Sequence, residues 1–230
     1  MFDDLLYNLY LNFIKEDRWK YLTNGLVTTL QITFFSVLLG IFIGFLVAII
    51  RATYDKTGKC RFWNGICNVY LTIIRGTPVL VQLLLIYFGI FASVDISKML
   101  VAVIAFGINS GAYVAEIIRG GIMSIDNGQF EAGRSLGFNF TQTMIFIILP
   151  QALKNVLPSL ANEFIVLLKE TSIAGYIALE DLTKGGDIIR SRTYNAFLPL
   201  LAVAIIYLIM VMIFTTLVKR LERRLQNSEH

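Results

Sequence analysis

The sequence predicts an all-α integral membrane protein that crosses the bilayer five times. Three observations carry that expectation. Of 230 residues, 56% are hydrophobic and 16% charged, against about 45–50% and about 25% in soluble domains. The apolar residues fall in long blocks, which excludes a lone soluble domain and a disordered chain alike. Five blocks, one of them interrupted, supply the roughly 20 apolar residues that a spanning helix needs.

Residues 1–24 read as an amphipathic helix on the outer surface. Phe2, Leu5, Leu6, Leu9 and Phe13 recur at helical spacing, and Trp19 and Tyr21 suit the headgroup level. Asp3 and Asp4 precede any apolar run, unlike a cleaved signal peptide. Gly25–Ile50 is an uncharged first span, closed by Arg51, Lys56, Lys59 and Arg61. The second joins Trp63–Ile74 to Pro78–Ala92. The third is Lys98–Ile118, rich in small residues, and the fourth is Asn155–Ile177, unusually polar. The fifth, Phe197–Val218, is followed by Lys219, Arg220, Arg223 and Arg224. Residues 25–218 thus form one transmembrane domain with a long loop at 119–150, and 219–230 is a basic tail.

Five crossings place the two ends on opposite sides. With the C-terminus cytoplasmic, the inner segments (51–61, 119–150, 219–230) hold ten Lys+Arg and five Asp+Glu. The outer segments (1–24, 93–98, 178–196) hold seven and eight. The bias, +5 inside and −1 outside, has the sign expected of an inner membrane protein with its N-terminus outside. The net charge of +4 needs no nucleic-acid partner. The single histidine is His230 and the two cysteines, Cys60 and Cys67, lack partner ligands. Histidine catalysis and a metal site are therefore not expected.

Six charges remain at membrane depth: Arg75, Glu116, Lys154, Glu163, Lys169 and Glu170. Each costs about 2.5–3.5 kcal/mol at mid-bilayer and needs a partner, water or a role. Arg75-Gly76-Thr77-Pro78 breaks the second span into two half-helices. Pro78 suits a first helical position, Thr77 the N-cap before it, and Gly76 an irregular backbone. A half-helix start beside an arginine is an anion site; the plainer alternative is a proline kink with Arg75 snorkelling. Asn155, Ser159, Asn162, Glu163, Val166 and Glu170 share one helical face and must meet other helices or an aqueous path. A structural polar interface accounts for Asn155 and Ser159, whereas Glu163 reads as functional. Asn109, Ser110 and Gly111 in the third span read first as close packing, with contact to a solute as the lesser alternative.

In the long loop, Asp126 and Gln129 have capping-box spacing, and a short helix should run to about Leu136 with Gly137 at its C-terminal end. The stretch reads Glu131-Ala132-Gly133, then Gly137, Ile147, Leu149 and Pro150. It resembles the EAA loop of ABC importer permeases at every spacing, with Gly133 in place of the second alanine as a small-for-small change. Arg75-Gly76-Thr77-Pro78 with Val81-Gln82-Leu83, the run Tyr113–Ile122, and Asn162-Glu163-Phe164 resemble the permeases for polar amino acids, over about residues 20–225.

The resemblance implies a type I importer permease architecture with a cytoplasmic coupling helix. It implies a dimer, with itself or a sister permease, embedded in lipid of a bacterial cytoplasmic membrane. Gln129, Glu131, Ala132, Gly133, Leu136 and Gly137 would seat on cytosolic ATPase subunits, which bind the ATP and magnesium. This chain has no Gly-rich phosphate loop and needs no cofactor of its own. An extracytoplasmic binding protein would deliver an amino acid. Its carboxylate suits Thr77–Val79 with Arg75, and Glu163 suits a cationic group, which tilts the expected cargo toward arginine, lysine or histidine over glutamine. Pro78 and Asn162 join them as candidates for the pocket, and Gly76, Gln82, Tyr87 and Asn109 are weaker ones. An ion-driven transporter, a membrane enzyme and an assembly protein fit the loop and the missing catalytic groups less well.

Overall fold

The computed structural model describes Phe2–Gln226; Met1, residues 227–230 of the tail, and the side chains of Phe2, Leu5 and Gln226 lie outside the described residues. The described residues form helices with no strand. Among them, four helices are long and apolar enough to cross a membrane: Trp19–Thr57, Lys98–Met123, Phe140–Ile177 and Phe197–Leu225. The bent pair Arg61–Gly76 and Val79–Ile90 makes a fifth crossing when counted as one. That matches the expected number and the expected break.

The boundaries differ from the sequence expectation in ways that have physical causes. Residues 1–24 are not one surface helix. Helix α1, Phe2–Leu9, continues through a π-helical turn, Tyr10–Ile14. The chain then turns at Glu16 and Asp17, both at positive φ (58° and 55°). Helix α2 starts at Trp19 and runs unbroken to Thr57, because nothing between Trp19 and Gly25 breaks a helix. The loop at 119–150 is also shorter than expected. Helix α5, Lys98–Met123, extends five residues past Ile118. Helix α7, Phe140–Thr143, opens at Asn139 and leads through the π-helical turn Met144–Ile148 into α8, Leu149–Glu170.

The chain divides into two compact units. The first comprises residues 1–36, 79–106 and 165–216. Its core holds Leu22, Leu168, Leu182, Ile189, Val203 and Met210. Helix α9, Leu182–Thr193, is capped by the buried Asp181, whose carboxylate accepts from the N–H groups of Thr183 and Lys184 at 3.1 Å each. Gly25 lets α2 press against that cap: a Cβ there would stand 2.6 Å from the Asp181 carbonyl oxygen. Thr29 accepts the N–H of Leu182 at 3.1 Å. Thr193 at the other end of α9 donates to the buried Asn12 at 2.8 Å.

The second unit comprises residues 37–78, 107–164 and 217–230. Its spans meet through glycine. Gly40 and Gly44 of α2 face Ser110 and Val114 of α5, where a Cβ would come within 2.9 and 2.5 Å. Gly107 and Gly111 of α5 face Leu39 and Ile43, at 2.7 and 3.0 Å. Each helix thus offers two small residues four apart, the spacing that lets membrane helices close tightly. Ser110 and Ala112 are fully buried and Asn109 nearly so, so packing is the role the third span shows. Helix α3, Arg61–Gly76, joins through Tyr70, whose hydroxyl donates to the Ile108 carbonyl at 2.6 Å.

Candidate functional site

Three features lie at the predicted positions. The first is helix α6, Asn127–Ser135. Asp126 caps it by accepting from Gly128 at 2.6 Å. The capping box expected of Asp126 and Gln129 is absent here; it forms instead between Asn139 and Gln142 at the start of α7. Leu136 is the C-cap, Gly137 follows at φ +82°, and the Phe138 N–H bonds the Gly133 carbonyl at 3.0 Å. This six-residue closure with glycine in the left-handed region is the Schellman ending that Gly137 predicts.

Gln129, Glu131, Ala132 and Leu136 are exposed on α6, and Leu136 is 72% exposed. Gly133 is buried. It is more than a small-for-small change, since Thr143 of α7 fills the space its side chain would need. Lys56 at the end of α2 reaches α6 as well. Its ammonium donates to Asn127 at 2.7 Å and lies 4.6 Å from the Phe130 ring centre. The space beneath α6, about 690 Å³, is bounded by Lys56, Lys59, Phe130, Arg134 and Phe138 among others.

The second feature is Glu163. It is 8% exposed and accepts a hydrogen bond from the fully buried Ser110 hydroxyl at 2.9 Å. The expected polar face on α8 divides at this residue. Asn155, Ser159 and Asn162 are exposed and do not pack into this chain, whereas Glu163 does. Uncovered amides in a span this apolar require a protein or aqueous neighbour.

The third feature surrounds Arg75. Helix α3 ends at Gly76, Thr77 is extended (φ −124°, ψ 148°), and α4, Val79–Leu85, begins after Pro78. The Thr77 hydroxyl donates to the Ile73 carbonyl at 2.8 Å. Gly76 stays helical and has open space beside it, so the irregular backbone expected of it lies at Thr77. Arg75 lines a cavity of about 500 Å³ with Arg51, Asn68, Thr72, Gly76 and Glu116. Glu163 does not line it, so the structure gives Arg75 and Glu163 separate surroundings instead of one shared pocket. Arg51, Asp55 and Arg119 join Glu116 in an ion cluster that the sequence reading did not assemble. Gln82 is buried and Tyr87 half-buried against Phe88, with ring centres 4.8 Å apart.

Comparison with known proteins identifies the family. Residues 36–227 match the family described as binding-protein-dependent transport system inner membrane component. A putative glutamine transport system permease protein of Rickettsia typhi is 41% identical over 207 residues, 89% of this chain and 93% of its own length. An arginine transport system permease protein of Bacillus subtilis is 36% identical over 211 residues, 91% and 94% of the two chains. A crystal structure of an amino acid ABC transporter with histidines superimposes with a TM-score of 0.80 at 44% identity, covering 89% of this chain and 94% of that one. The four apolar spans with a fifth, bent pair, the α6 loop at EAA spacing and a family match over residues 36–227 lead to one assignment: the chain belongs to the inner membrane components of binding-protein-dependent transport systems, as a permease subunit of an ABC importer and not an enzyme.

Proposed function

We propose that this permease carries a polar amino acid inward, and that glutamine is its principal cargo. The observation that carries the reading is Glu163, a buried carboxylate inside a spanning helix that accepts a hydrogen bond from Ser110 at 2.9 Å, since a carboxylate at membrane depth marks a solute path and attracts a cationic group. Every amino acid brings an α-ammonium, so Glu163 does not itself require a basic side chain. The glutamine permease of Rickettsia typhi therefore supports glutamine ahead of the basic cargo expected from the sequence. A basic amino acid is the second reading, favoured by the arginine permease of Bacillus subtilis and the transporter with histidines.

In this reading α6 faces the cytoplasm and docks on an ATPase subunit through Gln129, Glu131, Ala132 and Leu136. The N-terminus lies outside, where a binding protein delivers the solute. The exposed Asn155, Ser159 and Asn162 support a second permease copy or sister chain across an aqueous path. The test is uptake of labelled amino acids into proteoliposomes holding the chain with its ATPase and binding protein. Glutamine should compete best among the twenty, and Glu163→Gln should lower uptake at least about tenfold, the worth of one buried charge-assisted contact. Unchanged uptake of both glutamine and arginine in Glu163→Gln would overturn the role of that carboxylate.

A further inference from the structure

The cavity around Arg75 contains more donors than its acceptors satisfy. Glu116 is the single carboxylate on its wall. Its Oε1 lies 2.5 Å from Arg51 Nη1 and 3.9 Å from Arg75 Nη1, and its Oε2 lies 3.7 Å from Arg119 Nη1. Arg119 is held elsewhere, its Nε donating to Asp55 at 2.8 Å. Three guanidiniums therefore share two carboxylates, leaving the cluster one positive charge in excess. Arg51 Nε is buried with no partner among the described residues. Among the described residues Arg75 has only the 3.9 Å ion pair and the face of Tyr113, 5.8 Å from its guanidinium carbon. A guanidinium carries five donors, and 3.9 Å is beyond hydrogen-bond reach.

The cavity is also shaped to admit a ligand. About 500 Å³ falls within the usual range for small-molecule sites, about 300–1,000 Å³. Asn68 and Thr72 add polar groups to the wall. Gly76 keeps the space clear, since a Cβ there would meet nothing within 4 Å.

We infer that this cavity binds a small carboxylate at Arg75, separately from Glu163, and that the bound anion competes with Glu116 for the guanidinium. Glu116 demonstrates the geometry, because it is itself a carboxylate approaching the same group. The planar fork of arginine takes the two oxygens of a carboxylate side by side. With an amino acid as cargo, which rests on the reading above, the anion is the carboxylate end of the solute on its way past Arg75. The exchange keeps charge balanced at Arg75 while it hands the anion on.

The test uses the full chain, purified with its ATPase subunits, and acetate as the probe. Unfolding temperature is followed as sodium acetate replaces sodium chloride at constant ionic strength. Acetate should stabilise saturably where chloride does not. Arg75→Gln should weaken the apparent affinity roughly tenfold, the loss of one charge-assisted hydrogen bond, and Arg75→Lys should fall between. Gly76→Val leaves every charge in place and adds bulk at the wall beside Arg75, and should weaken the apparent affinity. Acetate no better than chloride, or an unchanged response in both Arg75→Gln and Gly76→Val, overturns the site. So does stabilisation by inorganic phosphate without acetate, which would assign a tetrahedral oxyanion such as a lipid headgroup. Amino-acid uptake is not the readout, so failure here leaves the choice of cargo to its own test.

Discussion

A side chain on Gly133 would place its Cβ 2.6 Å from Cγ2 and 2.7 Å from Oγ1 of Thr143. Thr143 is 1% exposed and its hydroxyl has no partner among the described residues, so it has nowhere to retreat. Gly133→Ala should therefore destabilise the protein by about 1–3 kcal/mol, the usual cost of overpacking. Thr143→Ala should restore most of that loss in the double variant. Thermal melts of the four proteins in a double-mutant cycle measure the coupling.

Gly137 sits at φ +82° with open space around it. Backbone strain, and not crowding, penalises a side chain here. Gly137→Asp should cost about 1 kcal/mol and loosen the end of α6. In the reconstituted importer the expected outcome is ATP hydrolysis with reduced uptake per ATP, measured as the ratio of phosphate released to solute carried. An unchanged ratio would count against α6 as the coupling element.

Helices α2 and α5 close on each other at Gly44 and Val114. Gly44→Ile should separate them and lower stability by about 1–3 kcal/mol. Val114→Ala should not rescue Gly44→Ala, because the residue-114 Cβ at 2.7 Å and the Ala115 backbone nitrogen at 2.8 Å would still crowd the new methyl group. Melting temperature in detergent reports both comparisons.

Burial pushes the Asp181 carboxyl from 3.8 up to about 6, against the hydrogen bonds from Thr183 and Lys184 that favour its ionised form. Its folded pKa exceeds its unfolded one, so the folded state holds the extra proton between those values. Stability from this group is greatest below about pH 4 and declines as pH rises to about 6, then stays level. Asp187 does not offset the slope, because Lys184 and Arg190 hold it below its ordinary value. Asp181→Asn keeps a capping oxygen without the charge, and should flatten this part of the pH profile. The difference between wild-type and variant melting temperatures from pH 4 to pH 8 isolates the effect.

The spans and α6 were legible because their signals are local. Apolar runs set the crossings, Pro78 marked the break, and Gly137 marked the helix end. The turn at Glu16 and Asp17 carried no such signal, since neither residue favours the left-handed region as glycine does. That is why α2 began earlier than its apolar run implied. The Gly40/Gly44 and Gly107/Gly111 steps were visible as spacings, but their pairing depends on the register of two helices. Arg51 and Glu116 stand 65 positions apart, and only the fold shows that Glu116 answers Arg51 and Arg75 while Glu163 answers Ser110.

Helix α6 is fastened to two different spans. Lys56 fastens it to the last turn of α2, and Gly133 seats it on Thr143, where the chain turns into α8. One attachment is a long flexible cation and the other a rigid steric fit. A displacement of α6 therefore loads α8 at once and α2 only after the Lys56 tether is drawn taut. Were α6 to be displaced, the two spans would respond in sequence, as in a linkage with slack on one arm.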